Sequence, residues 1–157
     1  MPRPSIARAM PALCMAFFAA RAVQAGPPGV ANAGRAWQHW TLNCQGCHRP
    51  DGSGSAATAP PLKDNVARFL SVPGGREYLG RVPGVATSAL SDADLSEVMN
   101  WMLWRFDAAD MPKDFEPYTA AEVGRLRKRP LRLDAAPMRR ELLQEAERRS
   151  ANGPRNP

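Results

Sequence analysis

The chain is poor in the residues that most small-protein chemistries depend on. Its 157 residues include three cysteines, two histidines and 7% aromatics. With His39 the only histidine beyond His48, and no second cysteine pair, a structural zinc site lacks its four ligands. No segment shows convincing strand alternation, which removes the βαβ context that a thioredoxin-like dithiol needs. The length is too short for two ordinary domains or a full (β/α)₈ barrel. No nucleophile, general base or substrate pocket can be read, and basic residues are not interleaved with aromatics as single-stranded nucleic-acid binding requires. The expectation is therefore a non-enzymatic protein that does not bind nucleic acid.

Proline is plentiful, at 16 residues against 12 glycines, and the apolar fraction of 44% is unevenly placed. Arg3 and Arg8 form a positive start, residues 10–20 are apolar, and Val23-Gln24-Ala25 offers a small-residue cleavage site before Gly26. The apolar stretch is about half the roughly 20 residues of a spanning helix and is closed by Arg21. Residues 1–25 are expected to be a cleaved export signal. The protein would then be periplasmic, with no permanent membrane anchor. Cys14 follows Leu13, where lipid attachment would want a small residue, so it leaves with the signal.

Cleavage lowers the net charge from +6 to +3, leaving 18 basic and 15 acidic groups. Residues 26–120 carry 8 basic and 10 acidic groups, and residues 121–157 carry 10 and 5. Only the tail is basic.

The two remaining cysteines stand in the run Cys44-Gln45-Gly46-Cys47-His48, the attachment signature of c-type haem. On a helical turn, positions i, i+3 and i+4 project from one face. Cys44 and Cys47 can hold the porphyrin edge through two thioethers while the His48 imidazole reaches the iron as proximal ligand. A plain disulfide between the cysteines would leave His48 unexplained. The cofactor expected is one covalent haem c with its iron.

Over about residues 30–106 the sequence also resembles the class I c-type cytochrome family. Ala36 and Trp40 stand eight and four residues before Cys44, where that family packs its N-terminal helix on its C-terminal one. Pro60 and Leu62 follow His48 by 12 and 14 residues. The resemblance implies that the Pro60 carbonyl accepts a hydrogen bond from His48 and that Leu62 packs beside the haem. Such a bond fixes the tautomer and raises ligand basicity. Ser91, with Asp94 at N3, caps a helix carrying Leu95, Val98, Met99, Trp101, Met102, Leu103 and Phe106. Val98 and Trp101 would meet Ala36 and Trp40.

The chain departs from the family at the distal iron ligand. Where a methionine is expected before the last helix, it has Val82-Pro83-Gly84. Met111-Pro112 carries the usual dipeptide but follows that helix, making Met111 the expected distal ligand. Met99, Met102 and an open iron remain alternatives. His39 reads as an exposed helical histidine and Lys63 as a solvated charge.

The expected fold is all-α: a cytochrome c-like helical domain around one covalent haem over residues 26–108, with a helical or partly disordered basic extension over 109–157. Residues 37–48 should form the haem-attachment helix, 49–61 a loop turning at Asp51-Gly52-Ser53-Gly54, and 64–70 a short helix. Val72-Pro73-Gly74 and Val82-Pro83-Gly84 would shape the loop over the haem. In the extension, Thr119 with Glu122 predicts a helix to about residue 129, and residues 137–151 another stopped by Asn152-Gly153. The tail would be either a solvated appendage or a docking surface for an acidic redox partner.

The functional expectation is an electron-transfer protein passing single electrons between a dehydrogenase donor and an oxidase or cytochrome acceptor. Electrons would enter and leave near the Gly-rich loop and Cys47. A ligand-binding or sensing haem protein with an open distal site is one alternative; a cytochrome subunit of a periplasmic dehydrogenase complex is another.

Overall fold

In the computed structural model, residues 26–55 and 59–152 are described. The expected export signal and Gly153 lie outside them. The first helix, α1 (Ala33–Asn43), begins four residues earlier than Trp37 because the Asn32 side chain accepts from the Arg35 N–H at 2.9 Å. It ends where Cys44 leaves helical geometry (φ −125°, ψ −39°), and a single turn, α2 (Gln45–His48), follows. Residues 67–71 make a 3₁₀ turn where a short helix was expected. Two short helices follow, α3 (Gly75–Arg81) and α4 (Pro83–Ala86), the second started by Pro83 at its first position. The expected loop around the two Val-Pro-Gly runs is thus largely helical.

The central element is α5 (Asp92–Asp107), capped as expected by Ser91, whose hydroxyl accepts from the Asp94 N–H at 3.1 Å. Its Val98, Met99 and Leu103 are at most 1% exposed. Trp40 of α1 packs on it with ring centroids 6.0 Å from Trp101 and 4.8 Å from Phe106. Buried Glu97 ties the pair at its other end, accepting from the Asn32 N–H and the Arg35 guanidinium, both at 2.8 Å. This pairing sets the direction in which α1 delivers Cys44.

The extension is part of the same core. Two helices, α6 (Ala120–Leu126) and α7 (Ala135–Asn152), follow α5, and Tyr118, Val123, Leu126 and Leu131 are buried with the α5 residues. Thr119 caps α6 as expected. Asn100 on α5 clamps the chain on both sides, donating to the Gly29 and Tyr118 carbonyls and accepting from the Tyr118 N–H. The extension therefore contains two helices that pack on this core, α6 through Val123 and Leu126 and α7 through Met138, Leu142 and Leu143. Of the extension's arginines, Arg127 bonds the Leu90 and Ser88 carbonyls and Asp92. From α3, Arg81 bonds the Arg129 carbonyl and Arg76 forms a two-pronged pair with Glu122 of α6.

Asp107, at the end of α5, is 3% exposed and accepts from the Ala67 N–H at 2.6 Å. Burial pushes its carboxyl up to about 6. The folded state thus holds this proton more tightly than the unfolded one, so the stability linked to it is present in acid and is lost as pH rises through about 6. Asp107→Asn keeps an oxygen for the Ala67 N–H and removes the charge. Thermal unfolding of the haem-loaded protein is expected to show a gain of about 1–3 kcal/mol at neutral pH that vanishes near pH 4.

Candidate cofactor site

At the break after α1, the Cys44 carbonyl accepts from the N–H groups of Cys47 (3.2 Å) and His48 (3.1 Å). This winds the pentapeptide into the one turn that puts Cys44, Cys47 and His48 on the wall of a single cavity of about 920 Å³. The volume lies at the upper end of the roughly 300–1,000 Å³ of small-molecule sites. Its other walls come from residues 53–55 and 59–62, from Val66 and Phe69, from Tyr78 and Leu79 of α3, from residues 82–85, from Leu95, Val98, Met99 and Met102 of α5, and from the start of α7.

His48 is oriented from both sides. Its Nδ1 stands 3.1 Å from the Pro60 carbonyl, and its ring lies 6.0 Å from that of Trp40. A proton on Nδ1 donates to this carbonyl and leaves the Nε2 lone pair available to a metal. Burial holds the imidazole below its ordinary pKa, against the opposing pull of the Pro60 bond, so the neutral ligand form prevails at neutral pH. Pro60 and Leu62 both line the cavity. The loop is held by the Leu62 N–H donating to the Gly52 carbonyl at 2.8 Å, and Gly54 lies directly under Pro60.

The Cys44 thiol is pushed up to about 11, by burial first and by Cys47 second. A redox dithiol or thiolate metal ligand wants the opposite shift, whereas a thioether carries no charge to bury. Among the described residues, no three His, Cys, Asp or Glu side chains gather as a metal site by themselves. A large ligand that brings its own metal, apolar in body and attached by carbon–sulfur bonds, fits this donor set. The fit extends to the buried Trp40 indole N–H, which has no hydrogen-bond partner among the described residues and belongs to a residue on the wall.

The other sequence candidates fall elsewhere. Met111 follows a 3₁₀ turn after α5 and packs half-buried against the core, but it is not among the residues lining this cavity. The physical reason is the length of α5: its 16 residues carry the chain past the cavity before the Met-Pro dipeptide is reached. Met99 and Met102, buried on the inner face of α5, supply the thioether sulfurs on the cavity wall. Val82 and Val85 line it where the family would place a methionine. His39 is half-buried, with Nε2 3.6 Å from Asp94, and is not on the wall. Lys63 is exposed. Sequence reading misses Tyr78 and Arg139 as wall residues; they come from elements 30 or more residues from the cysteine motif and carry no local signal.

No family model matches the chain. Over 106 aligned residues it is 35% identical to cytochrome c-552 of Thermus thermophilus, an alignment covering 56% of this chain and 81% of that protein. It is equally similar to a second cytochrome c-552, from a particular strain of the same species, covering 72% of it.

Proposed function

As this chain belongs to the class I c-type cytochromes, electron-transfer proteins whose cofactor is haem c, we propose that it works outside the cytoplasm, passing single electrons from a dehydrogenase to a downstream acceptor. The observation that carries this reading is the Cys44–Cys47–His48 face opening onto a cavity of haem size with His48 already held by Pro60. When bound, haem c supplies the one-electron chemistry at its iron. Cys44 and Cys47 would hold it through thioethers, His48 would be its iron ligand, and Leu62, Val66 and Leu79 would keep water from it. The Pro60 carbonyl strengthens His48 as a donor, which favours ferric iron and lowers the reduction potential. Exposed Cys47 marks the cofactor edge through which electrons pass, since it is where the covalent attachment meets solvent.

Among the described residues, no helix is long and apolar enough to cross a membrane. Export rests on the sequence of residues 1–25 and on the extracytoplasmic site of haem attachment. Where the partner is a dehydrogenase complex with this chain as a subunit, the two co-purify; a free carrier elutes alone.

The valines at 82 and 85 favour a second reading, an iron open to small neutral ligands. The visible spectrum of the reduced protein, taken before and after carbon monoxide, separates the two. An electron carrier with a firm sixth ligand gives an unchanged spectrum, and ready carbon monoxide binding moves ligand sensing ahead. Met111→Ala is expected to leave both spectra unaltered, because its side chain lies off the cavity wall. Loss of low-spin character in that variant shows instead that Met111 ligates the iron.

A further inference from the structure

The cavity wall carries one polar pair that electron transfer at the cysteine edge does not use. Arg139 of α7 reaches the wall with its guanidinium carbon 5.7 Å from the Phe69 ring centroid, and Phe69 stacks on Tyr78 at 5.0 Å. Tyr78 is 4% exposed, and among the described residues its hydroxyl has no hydrogen bond and Arg139 has no carboxylate partner. Of the acids on α7, Glu147 pairs with Arg68 and Glu145 with Arg148 and Arg149. Burial disfavours the charged form of Arg139 and the ionised form of Tyr78 alike. The other arginines on the wall, Arg49 and Arg140, are exposed. A half-buried cation and an unsatisfied hydroxyl on a mostly apolar wall are costly unless an anion completes them.

We propose that Arg139 and Tyr78 together hold a propionate carboxylate of the haem, so that α7 is a structural part of the cofactor site and its arginine sets the charge felt by the iron. The inference rests on the haem reading above. An arginine fork and a phenol hydroxyl are both donors suited to one carboxylate. The ligand's two carboxylates are the only anionic groups on its otherwise apolar frame. Arg139 is a positioning residue here: it touches the cofactor's carboxylate, not its iron.

The test is the reduction potential of the full-length haem protein as a function of pH, in Arg139→Gln, Arg139→Lys and Tyr78→Phe, with exposed Lys128→Gln as the control for loss of one positive charge outside the cavity. The other charged groups on the packed elements are Arg68 of the 67–71 turn, Arg76, Glu77 and Arg81 of α3, and Arg140, Glu141, Glu145, Glu147, Arg148 and Arg149 of α7, with Arg49 on the cavity wall. The arginines hold their charge throughout, and the glutamates are the same in every variant. Losing the positive charge beside the carboxylate favours ferric iron and makes the propionate harder to ionise. Arg139→Gln is therefore expected to have a lower potential above neutrality than both the parent and Lys128→Gln. The pH at which the potential begins to fall should rise by about 1 pH unit or more. Arg139→Lys restores most of the change. If Arg139→Gln yields no haem-loaded protein, Tyr78→Phe, which removes a single oxygen, carries the test through the same upward move of the pH profile, smaller in size. A profile in Arg139→Gln or Tyr78→Phe matching that of Lys128→Gln overturns the proposal while leaving the haem reading intact; absence of covalent haem from the parent protein overturns both.

Discussion

Replacing both Cys44 and Cys47 with serine is expected to abolish covalent haem and, with it, most of the folded structure. The first part follows from chemistry: serine hydroxyls do not form the thioethers, so acid extraction into organic solvent should strip all haem from the variant and none from the parent. The second follows from size. A cavity of about 920 Å³ is bounded by Trp40, Leu62, Val66, Phe69, Leu79, Leu95, Val98 and Met99, the same residues that make up the core. Without the cofactor these side chains face water instead of haem, and at about 1.5–3 kcal/mol for each large apolar side chain left uncovered, losing a few of them consumes most of the roughly 5–15 kcal/mol by which domains are stable. Far-ultraviolet circular dichroism should show the helical signal of the parent falling to a small fraction in the double variant. A variant that keeps its full helix content would mean that the core closes without the cofactor.

The second large effect lies in the loop that orients His48. Gly54 has φ +69°, a conformation that costs a residue with a Cβ about 1 kcal/mol or more. A Cβ placed there would stand 2.6 Å from the Ala59 carbonyl oxygen and 2.7–2.8 Å from the Pro60 carbonyl carbon and oxygen. All three are backbone atoms and cannot swing away, so Gly54→Ala must push the segment carrying Pro60. Strain and displacement together are expected to cost about 1–3 kcal/mol and lower the melting temperature by roughly 5 °C or more. Because the Pro60 carbonyl is the acceptor for His48 Nδ1, its displacement weakens the imidazole as a donor to ferric iron, and the reduction potential should rise. The combination separates this effect from ordinary destabilisation: a comparable loss of stability far from the loop, such as Gly80→Ala against the Leu126 side chain, should leave the potential in place.

What could be read from the sequence was whatever depends on short spacing. The pentapeptide 44–48 reveals its chemistry because its three functional groups share one helical turn. Ser91 and Thr119 reveal their helices because a cap and its N3 partner are three residues apart. The start of α1 is less legible because Asn32 caps against Arg35, a pairing without the acidic N3 residue that marks the other two. The distal side was harder. Met111 carries the right dipeptide, yet a helix of 16 residues separates it from the cavity, and only the packing of α5 shows that Met99 and Met102 face the wall in its place. The extension misled for an electrostatic reason. Arginine-rich segments with few large apolar residues read as solvated, but Arg127 spends its donors on the Leu90 and Ser88 carbonyls and the Asp92 carboxylate, while Tyr118, Val123 and Leu126 supply the apolar contact. No spacing rule links Arg139 to Tyr78, 61 positions away, so their shared place on the wall is visible only in three dimensions.

The most direct test of the central claim is the intact mass of the purified protein under denaturing conditions, after production in a host with haem-attachment machinery. The account predicts a chain heavier by one haem that stays attached on unfolding, with the added mass confined to the peptide holding Cys44 and Cys47. A mass equal to the polypeptide alone, or lighter by two hydrogens from a Cys44–Cys47 disulfide, would contradict it.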